Sequence, residues 1–362
     1  MIPFLNLKPG PDASDVRAAM ERVVERGWFV LGPELEAFEH EFAAASGAAH
    51  AVGVGTGTDA IALAVRACGI GPGDEVITAP LSAAYSALAI MMAGARPVFA
   101  DIDPVRLTLD PKATAAAVTS KTRAILPVHL YGQPADMTAI MDVAGTHHLI
   151  VIEDCCQAHG ATCNGRPVGS FGTAAAYSFY PTKNLAALGD GGAITTSDPA
   201  IAARLKRLRN GGQTDRYHHG EFGMNSRLDE MQAAILRARL AWLPKWTAER
   251  RQLAKAYRKH LAGAVVTVPS ECDPGHVYHL FPILSTERDA LQARLKSRGV
   301  ETLIHYPVPI PRQPALASER PADCPAADRA CDQVLSLPLH PGMAPSVVEE
   351  VASALHASAA AS

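Results

Sequence analysis

The sequence has almost no net charge, because its 33 Lys and Arg residues are balanced by 36 Asp and Glu residues, leaving −3. A protein that binds nucleic acid through its phosphates normally carries a clear positive excess, so this balance argues against nucleic acid as a partner. Long apolar runs are also missing. The longest candidate, residues 83–95, is shorter than the ~20 residues that span a bilayer and contains Tyr85 and Ser86. The sequence therefore predicts no membrane partner.

Cysteines are few and scattered, at an odd count of seven, with no C-x-x-C pair and no Cys/His cluster at zinc spacing. This pattern predicts neither a disulfide framework nor a structural metal site. The N-terminus has no basic patch followed by an apolar stretch, so no secretory signal is apparent. We therefore expect a reduced, cytoplasmic protein.

Hydrophobic residues make up 48% of the chain, which excludes general disorder. Over the first two thirds, apolar runs typical of strands alternate with helical patterns. Strands are predicted at 50–53, 74–78, 97–101, 123–128 and 149–153, and helices at 59–68, 82–93, 111–118 and 137–147. Such alternation predicts an α/β fold with a mostly parallel sheet, whose ligands bind beyond the carboxyl ends of the strands.

A longer helical pattern begins near Ser226, where Ser226 and Asp229 have the spacing of a capping box. Pro244 should kink or break this helix, and we place a domain boundary there. The prediction is a large domain over residues 1–245, including an N-terminal arm, and a smaller C-terminal α/β domain over residues 246–362.

Three segments could carry chemistry. Residues 53–60, Gly-Val-Gly-Thr-Gly-Thr-Asp-Ala, follow a strand and open a helix, so they could bind a phosphate or form only a tight turn. Asp154 ends the apolar run 149–153, so it could pair with a cationic ring nitrogen or a metal, or cap a turn. Lys183 lies beside a proline between a buried strand and a glycine-rich loop. It could be a desolvated nucleophile or a solvated surface lysine.

A phosphate turn, a strand-end aspartate and a lysine after a strand are together the three parts that a pyridoxal phosphate (PLP) site needs. The phosphate needs N–H donors. The pyridine nitrogen needs a carboxylate that keeps it protonated, and the aldehyde needs an amine for a Schiff base.

With these parts in place, the chain resembles the DegT/DnrJ/EryC1/StrS family of fold-type I, PLP-dependent sugar aminotransferases. Nine stretches carry the resemblance, in order along almost the whole chain: Gly27–Pro33, Gly57–Ala60, Pro97–Asp103, Pro127–Gly132, Glu153–Gly160, Ser178–Leu185, Gly189–Gly192, Gly223–Asp229 and His305–Pro307. Several such motifs in sequence are far more specific than any one of them.

The resemblance implies a role for each matching residue. Lys183 would form the Schiff base and move the proton, and Asp154 would pair with the pyridinium nitrogen. Gln157 would lie at the cofactor ring or its 3-hydroxyl. Gly57, Thr58 and Ser178 would bind the phosphate, and Asn225 would reach the phosphate of a neighbouring subunit, so a homodimer is implied. The weaker carry-overs, each of which could instead be a packed or interface residue, are the substrate candidates His159, Arg227, His305 and Tyr306.

One departure concerns the residue that stacks on the cofactor ring. Family members usually have Thr followed by an aromatic residue where this chain has Ser82 and Ala83. The nearest ring is that of Tyr85, which we predict to take over the stacking unless the ring face is covered differently.

The implied reaction moves the amino group of L-glutamate to a nucleotide-linked keto-deoxysugar, with a 3-keto-6-deoxyhexose favoured. A 4-keto sugar nucleotide or a keto-cyclitol are alternatives, since the cofactor motifs do not distinguish them. A sugar dehydratase is disfavoured because family dehydratases carry His in place of Lys183. A non-catalytic regulatory role is disfavoured by the complete set of cofactor residues.

Overall fold

The computed structural model describes residues 1–316 and 323–359. Its α-helices are α1 (Ala13–Arg26), α2 (Pro33–Ala45), α3 (Gly57–Ala67), α4 (Tyr85–Met92), α5 (Pro111–Ala116), α6 (Met137–His147), α7 (Pro199–Leu208), α8 (Glu230–Leu240), α9 (Leu243–His260), α10 (Arg288–Ser297), α11 (Pro325–Gln333) and α12 (Pro345–Ala359). Short 3-10 segments occur at Leu130–Gly132, Ile310–Arg312 and Pro314–Leu316.

The strands are β1 (His50–Val54), β2 (Glu75–Thr78), β3 (Arg96–Phe99), β4 (Thr122–Leu126), β5 (Ile150–Asp154), β6 (Thr162–Cys163), β7 (Arg166–Pro167), β8 (Ala174–Ser178), β9 (Gly192–Thr196), β10 (Gln213–Asp215), β11 (His218–His219), β12 (Phe281–Leu284) and β13 (Val334–Leu337). Seven of them form a central sheet in the order β1-β9-β8-β5-β4-β2-β3. From β8 to β3 all neighbours are parallel, whereas β9 is antiparallel to both β8 and β1. The prediction of an α/β fold with a mostly parallel sheet is confirmed.

Hydrophobic side chains form two main cores. The larger core surrounds the central sheet and contains buried residues of α2, α3 and α4, among others. The second core lies between α9, α10, α12 and the antiparallel pair β12–β13. Helix α11 packs with the larger core, where Asp101 accepts hydrogen bonds from the backbone N–H groups of Ala326 and Ala327. The domain boundary near residue 245 stays a prediction.

The predicted capping box at Ser226 is wrong. Helix α8 begins only at Glu230, and its N-cap residue Asp229 makes no capping hydrogen bond through its side chain. The Ser226 hydroxyl instead donates to Asp59 Oδ2 at 2.6 Å and accepts from the Gly55 N–H at 2.9 Å. A distant partner therefore uses the hydroxyl group that the local spacing had assigned to a cap.

The break expected at Pro244 is present. Helix α8 ends at Leu240 and α9 begins at Leu243, which places Pro244 in the first turn of the new helix. Proline is tolerated there because the first N–H groups of a helix have no partner within it. Among the described residues, no helix is both long and apolar enough to cross a membrane.

Candidate active site

A cavity of about 620 Å³ opens beyond the carboxyl ends of β1, β5 and β8. The structure brings eight residues predicted from the sequence together on its wall: Gly57, Thr58, Tyr85, Asp154, Gln157, Ser178, Lys183 and Tyr306. These residues come from five separate parts of the chain. We call this space the cofactor cavity.

The glycine-rich turn forms one end of the cofactor cavity. Thr56 is the N-cap of α3 and its hydroxyl accepts the Asp59 N–H at 3.0 Å. Gly57 allows a close approach, since a Cβ atom at this position would lie 2.6 Å from the Ser178 Cβ. The first N–H groups of a helix have no intrahelical partner, and the helix dipole favours an anion there. The turn is therefore suited to a phosphate group.

Asp154 is held rigidly at the end of β5 and is only 5% exposed. The Ser86 hydroxyl donates to its Oδ2 atom at 2.8 Å, and the Cys156 N–H donates to its Oδ1 atom at 3.1 Å. These two bonds fix the orientation of the carboxyl group. A carboxylate held in this way on the cavity wall can accept a hydrogen bond from a protonated ring nitrogen.

Gln157 is oriented by two protein partners. Its Oε1 atom accepts the Tyr131 N–H at 2.8 Å, and its Nε2 atom donates to the Tyr306 hydroxyl at 3.1 Å. The Tyr306 hydroxyl uses a lone pair for this bond, so its own proton is available to another acceptor. Burial raises the pKa of Tyr306 to about 12, which keeps the phenol protonated at neutral pH.

Lys183 is half-buried on the wall of the cofactor cavity. Burial lowers the pKa of its amine below the usual value, and the nearby Cys156 and Asp154 oppose that shift. A lowered pKa raises the fraction of the neutral, nucleophilic amine. The alternative of a solvated surface lysine does not fit this position.

Four predicted residues are not on the wall of the cofactor cavity. His159 is 1% exposed and packs between the rings of Tyr177 and Phe179, at centroid distances of 5.6 and 5.7 Å. His305 bonds through Nδ1 to the Ser336 hydroxyl at 3.0 Å. A contact of either histidine with substrate stays a prediction.

The other two residues lie together after β11. Arg227 donates to the Asn210 side chain at 2.9 Å, and the exposed Asn225 forms a backbone bridge with Asn210. Neither residue reaches the cofactor cavity of its own chain, which is consistent with the predicted role of Asn225 in a neighbouring subunit.

Sequence reasoning missed Ser86 and Cys156. Cys156 lies two positions after the strand-end aspartate, so inspection of the residues that follow each strand could have found it. Ser86 belongs to α4, which begins at Tyr85 rather than at the predicted residue 82, and its bond to Asp154 joins residues 68 positions apart. No local pattern indicates that contact.

A buried cluster beside the site has a structural explanation. Ligand atoms of His129, Glu153 and Cys155 lie within 4.8 Å of one another. The Ala135 N–H donates to His129 Nδ1 at 3.0 Å, so Nε2 carries the proton and donates to Glu153 Oε2 at 3.1 Å. Glu153 also accepts three backbone N–H groups, from residues 169, 171 and 172. The cluster connects the ends of β4 and β5.

The residues on the cofactor cavity fit PLP, because a phosphate turn, a buried carboxylate and a desolvated lysine share one space. The crowding at Gly57 supports this fit, since a side chain there would fill the cradle. The fold and the site together define a PLP-dependent transferase of fold type I.

Comparison with known proteins identifies the family. The model of the DegT/DnrJ/EryC1/StrS aminotransferase family matches residues 12–356, and this chain belongs to that family. A Streptomyces venezuelae protein named dTDP-3-amino-3,4,6-trideoxy-alpha-D-glucose transaminase is 49% identical over 349 residues, covering 94% of this chain and 91% of the relative.

Solved structures of aminotransferases support the same family assignment. The crystal structure of S. venezuelae DesV in complex with a ketimine intermediate superposes with a TM-score of 0.96 at 47% identity, covering 99% of this chain and 98% of DesV. NtdA from Bacillus subtilis, solved with its cofactor PMP, gives a TM-score of 0.94 at 31% identity. The match covers 99% of this chain and 85% of the NtdA chain. The predictions of fold type, aminotransferase activity and PLP as cofactor are confirmed.

Proposed function

We propose that this protein transfers the amino group of L-glutamate to a nucleotide-linked 3-keto-6-deoxyhexose. The main observation that supports transamination is that the phosphate turn, Asp154 and Lys183 all lie on the wall of one cavity. The position of amination is supported by the S. venezuelae relative, whose name specifies a 3-amino sugar linked to dTDP. The alternatives are a 4-keto sugar nucleotide and a keto-cyclitol.

When bound, PLP supplies an electron sink that makes the hydrogen next to the transferred nitrogen acidic. Lys183 accepts and returns that proton at its side-chain nitrogen, for which a neutral amine is required. Asp154, whose orientation is fixed by Ser86 and the Cys156 N–H, would pair with the protonated ring nitrogen of the cofactor. Tyr306 and Gln157 offer hydrogen-bond donors to oxygen atoms of the cofactor or the substrate.

The active unit in this proposal is a homodimer. Trp28, Phe29 and Val30 are 54%, 51% and 41% exposed, and Tyr180 on the wall of the cofactor cavity is 52% exposed. Exposed apolar side chains of this size are typical of a surface that another subunit covers. Asn225 is exposed as well and would complete the phosphate site of that subunit. A cytoplasmic location belongs to the same proposal and is supported by the seven free cysteines.

Replacement of Lys183 tests the catalytic assignment. We expect Lys183→Ala to keep its fold and to lose at least about 1000-fold in turnover, because it removes the group that transfers the proton. Circular dichroism reports the fold, and single-turnover absorbance with L-glutamate reports the reaction. Substantial transamination by a folded variant would refute the role of Lys183.

The acceptor is identified by its product. Wild-type enzyme loaded with PLP is incubated with L-glutamate and a panel of 3-keto and 4-keto nucleotide sugars and a keto-cyclitol, and the aminated product is analysed by mass spectrometry and NMR. We expect amination at position 3. Amination only at position 4, or only of a keto-cyclitol, would contradict the proposed acceptor while leaving the transaminase assignment intact.

A further inference from the structure

A second cavity, of about 460 Å³, lies next to the cofactor cavity. It is enclosed by the N-terminal arm over residues 5–12, the first turns of α9 and the loop over residues 340–342. Thr182 and Lys183 form part of the wall of both cavities. We call the second space the arm cavity. Its position connects it to the reacting lysine.

Arg250 on the wall of the arm cavity is a buried cation without a counter-charge. It is 4% exposed, and its Nη1 atom donates to the backbone carbonyls of Tyr278, His279 and Leu339 at 3.1 to 3.3 Å. Its Nε atom is buried and has no hydrogen-bond partner among the described residues. Within the same part of the chain, no carboxylate comes within ion-pair distance of Arg250. Buried charges are normally paired because desolvation is costly, so this arginine lacks an anion.

The remaining wall of the arm cavity is also cationic. Its charged residues are Lys8, Asp12, Arg239, Lys245, Glu249 and Arg250, besides the shared Lys183. Asp12 is already paired with Arg239 at 2.9 Å, and Glu249 accepts the Gly342 N–H at 3.1 Å. Lys8 and Lys245 are exposed and have no ion pair within residues 1–316 and 323–359. The excess of positive charge on this wall attracts an anion.

The wall of the cofactor cavity, by contrast, carries more acidic than basic side chains. Among its described wall residues, Lys183 is the only cation, while Asp154 and Asp190 are acidic. An amino donor with two carboxylates finds no free cation of this chain there. Unpaired cations lie across the shared wall at Thr182 and Lys183, in the arm cavity.

We propose that the arm cavity binds a carboxylate of the amino donor, with Arg250 as the buried anchor and Lys8 and Lys245 as the cations at its opening. The inference deepens the proposed function, because it gives the dicarboxylate donor a binding site of its own. Trp246 on the same wall offers an apolar surface to the methylene groups of the donor. A planar guanidinium matches a carboxylate well.

The pyrophosphate of a sugar nucleotide is the other anion in the proposed reaction. The donor fits better, because its carboxylates are only a few bonds from the amine that reacts beside Lys183. The pyrophosphate of a 3-keto sugar is separated from the reacting carbon by part of the sugar ring. The two sources of anion can be distinguished by binding experiments with separate probes.

The test measures binding of 2-oxoglutarate and, separately, of UDP and dTDP to the PLP-loaded enzyme by calorimetry. We expect Arg250→Gln to weaken binding of 2-oxoglutarate at least about tenfold, the effect of losing one charged hydrogen bond, and to leave the nucleotide affinities unchanged. The double variant Lys8→Met/Lys245→Met, which changes only exposed side chains, should weaken 2-oxoglutarate binding by about threefold. Lys255→Met, an exposed lysine of α9 away from the cavity, is the matched control and should bind like the wild type.

The proposal is overturned if folded Arg250→Gln binds 2-oxoglutarate as the wild type does, or if the variants weaken UDP or dTDP instead. If Arg250→Gln does not fold, the double variant Lys8→Met/Lys245→Met is used instead. Unchanged 2-oxoglutarate binding by the folded double variant then overturns the proposal. A failure of the proposed aminotransferase function gives a different result from a failure of the donor-site proposal. If the aminotransferase function is wrong, the wild-type enzyme binds PLP but shows no spectral change when glutamate is added, whatever the affinities of the variants.

Discussion

Asp154 accepts two hydrogen bonds that leave its carboxylate little freedom to rotate. Ser86 and the N–H of Cys156 approach different oxygen atoms. The strand that ends at Asp154 could be predicted from its apolar sequence, whereas the partner Ser86 could not, because it belongs to a helix 68 positions earlier. At the scale of the residue, sequence identified the chemical group and the fold determined its orientation.

His159 provides a test of burial at the same scale. Burial lowers the pKa of His159 to about 3, and neither ring nitrogen has a hydrogen-bond partner among the described residues. Between pH 6.5 and pH 3, His159 is mostly protonated in the unfolded chain but mostly neutral in the folded chain. The free energy of unfolding therefore falls as the pH is lowered through this range. His159 should thereby lower the free energy of unfolding by about 2 kcal/mol at pH 5 relative to pH 7.

Replacement of His159 by Phe removes this titration without breaking a side-chain hydrogen bond. Urea unfolding of the wild type and His159→Phe at pH 7 and pH 5 should show a smaller loss of stability in the variant. An equal loss in both proteins would mean that His159 is protonated in the folded state.

Helix α2 illustrates how one element depends on another. Its N-terminus has no capping side chain of its own. Glu230, at the start of α8 and 0% exposed, accepts the N–H groups of Gly32, Glu34 and Leu35 at 3.0, 2.9 and 2.8 Å. The carboxylate also lies at the positive end of the helix dipole. A cap that comes from about 200 residues away does not appear in any local sequence pattern.

Glu230→Gln should lower the free energy of unfolding by about 1–3 kcal/mol, because an amide N–H₂ group then faces backbone donors in a buried site. Denaturant unfolding measures the change. Glu36→Gln, an exposed glutamate in the first turn of the same helix, is the matched control and should stay within about 0.5 kcal/mol of the wild type. Equal effects of both changes would mean that general charge, rather than the cap, stabilises α2.

At the scale of the whole molecule, the proposed dimer makes each active site depend on two chains. Lys183 would come from one subunit and Asn225 from the other. Asn225 is exposed and is not on the wall of the cofactor cavity of its own chain, which favours this arrangement. The proposal predicts complementation between two defective variants.

Lys183→Ala and Asn225→Ala should each have low activity alone. In a mixed dimer, one site carries both defects and the other carries neither. Co-expression with two affinity tags isolates the mixed dimer, which should recover about half of the wild-type activity, since subunits with independent sites act additively. A mixed dimer with no more activity than the better parent would exclude a shared site.

Local sequence determined the alternation of strands and helices, the glycine turn, the strand-end aspartate and the lysine after β8. Each of these depends on neighbouring residues through backbone geometry, side-chain periodicity and burial. Only the tertiary structure decided that Ser226 supports Asp59, that Ser86 holds Asp154 and that Arg250 is buried beside a cavity without an anion. These contacts join residues far apart in the chain, and their partners are selected by packing, which the order of residues along one segment does not specify.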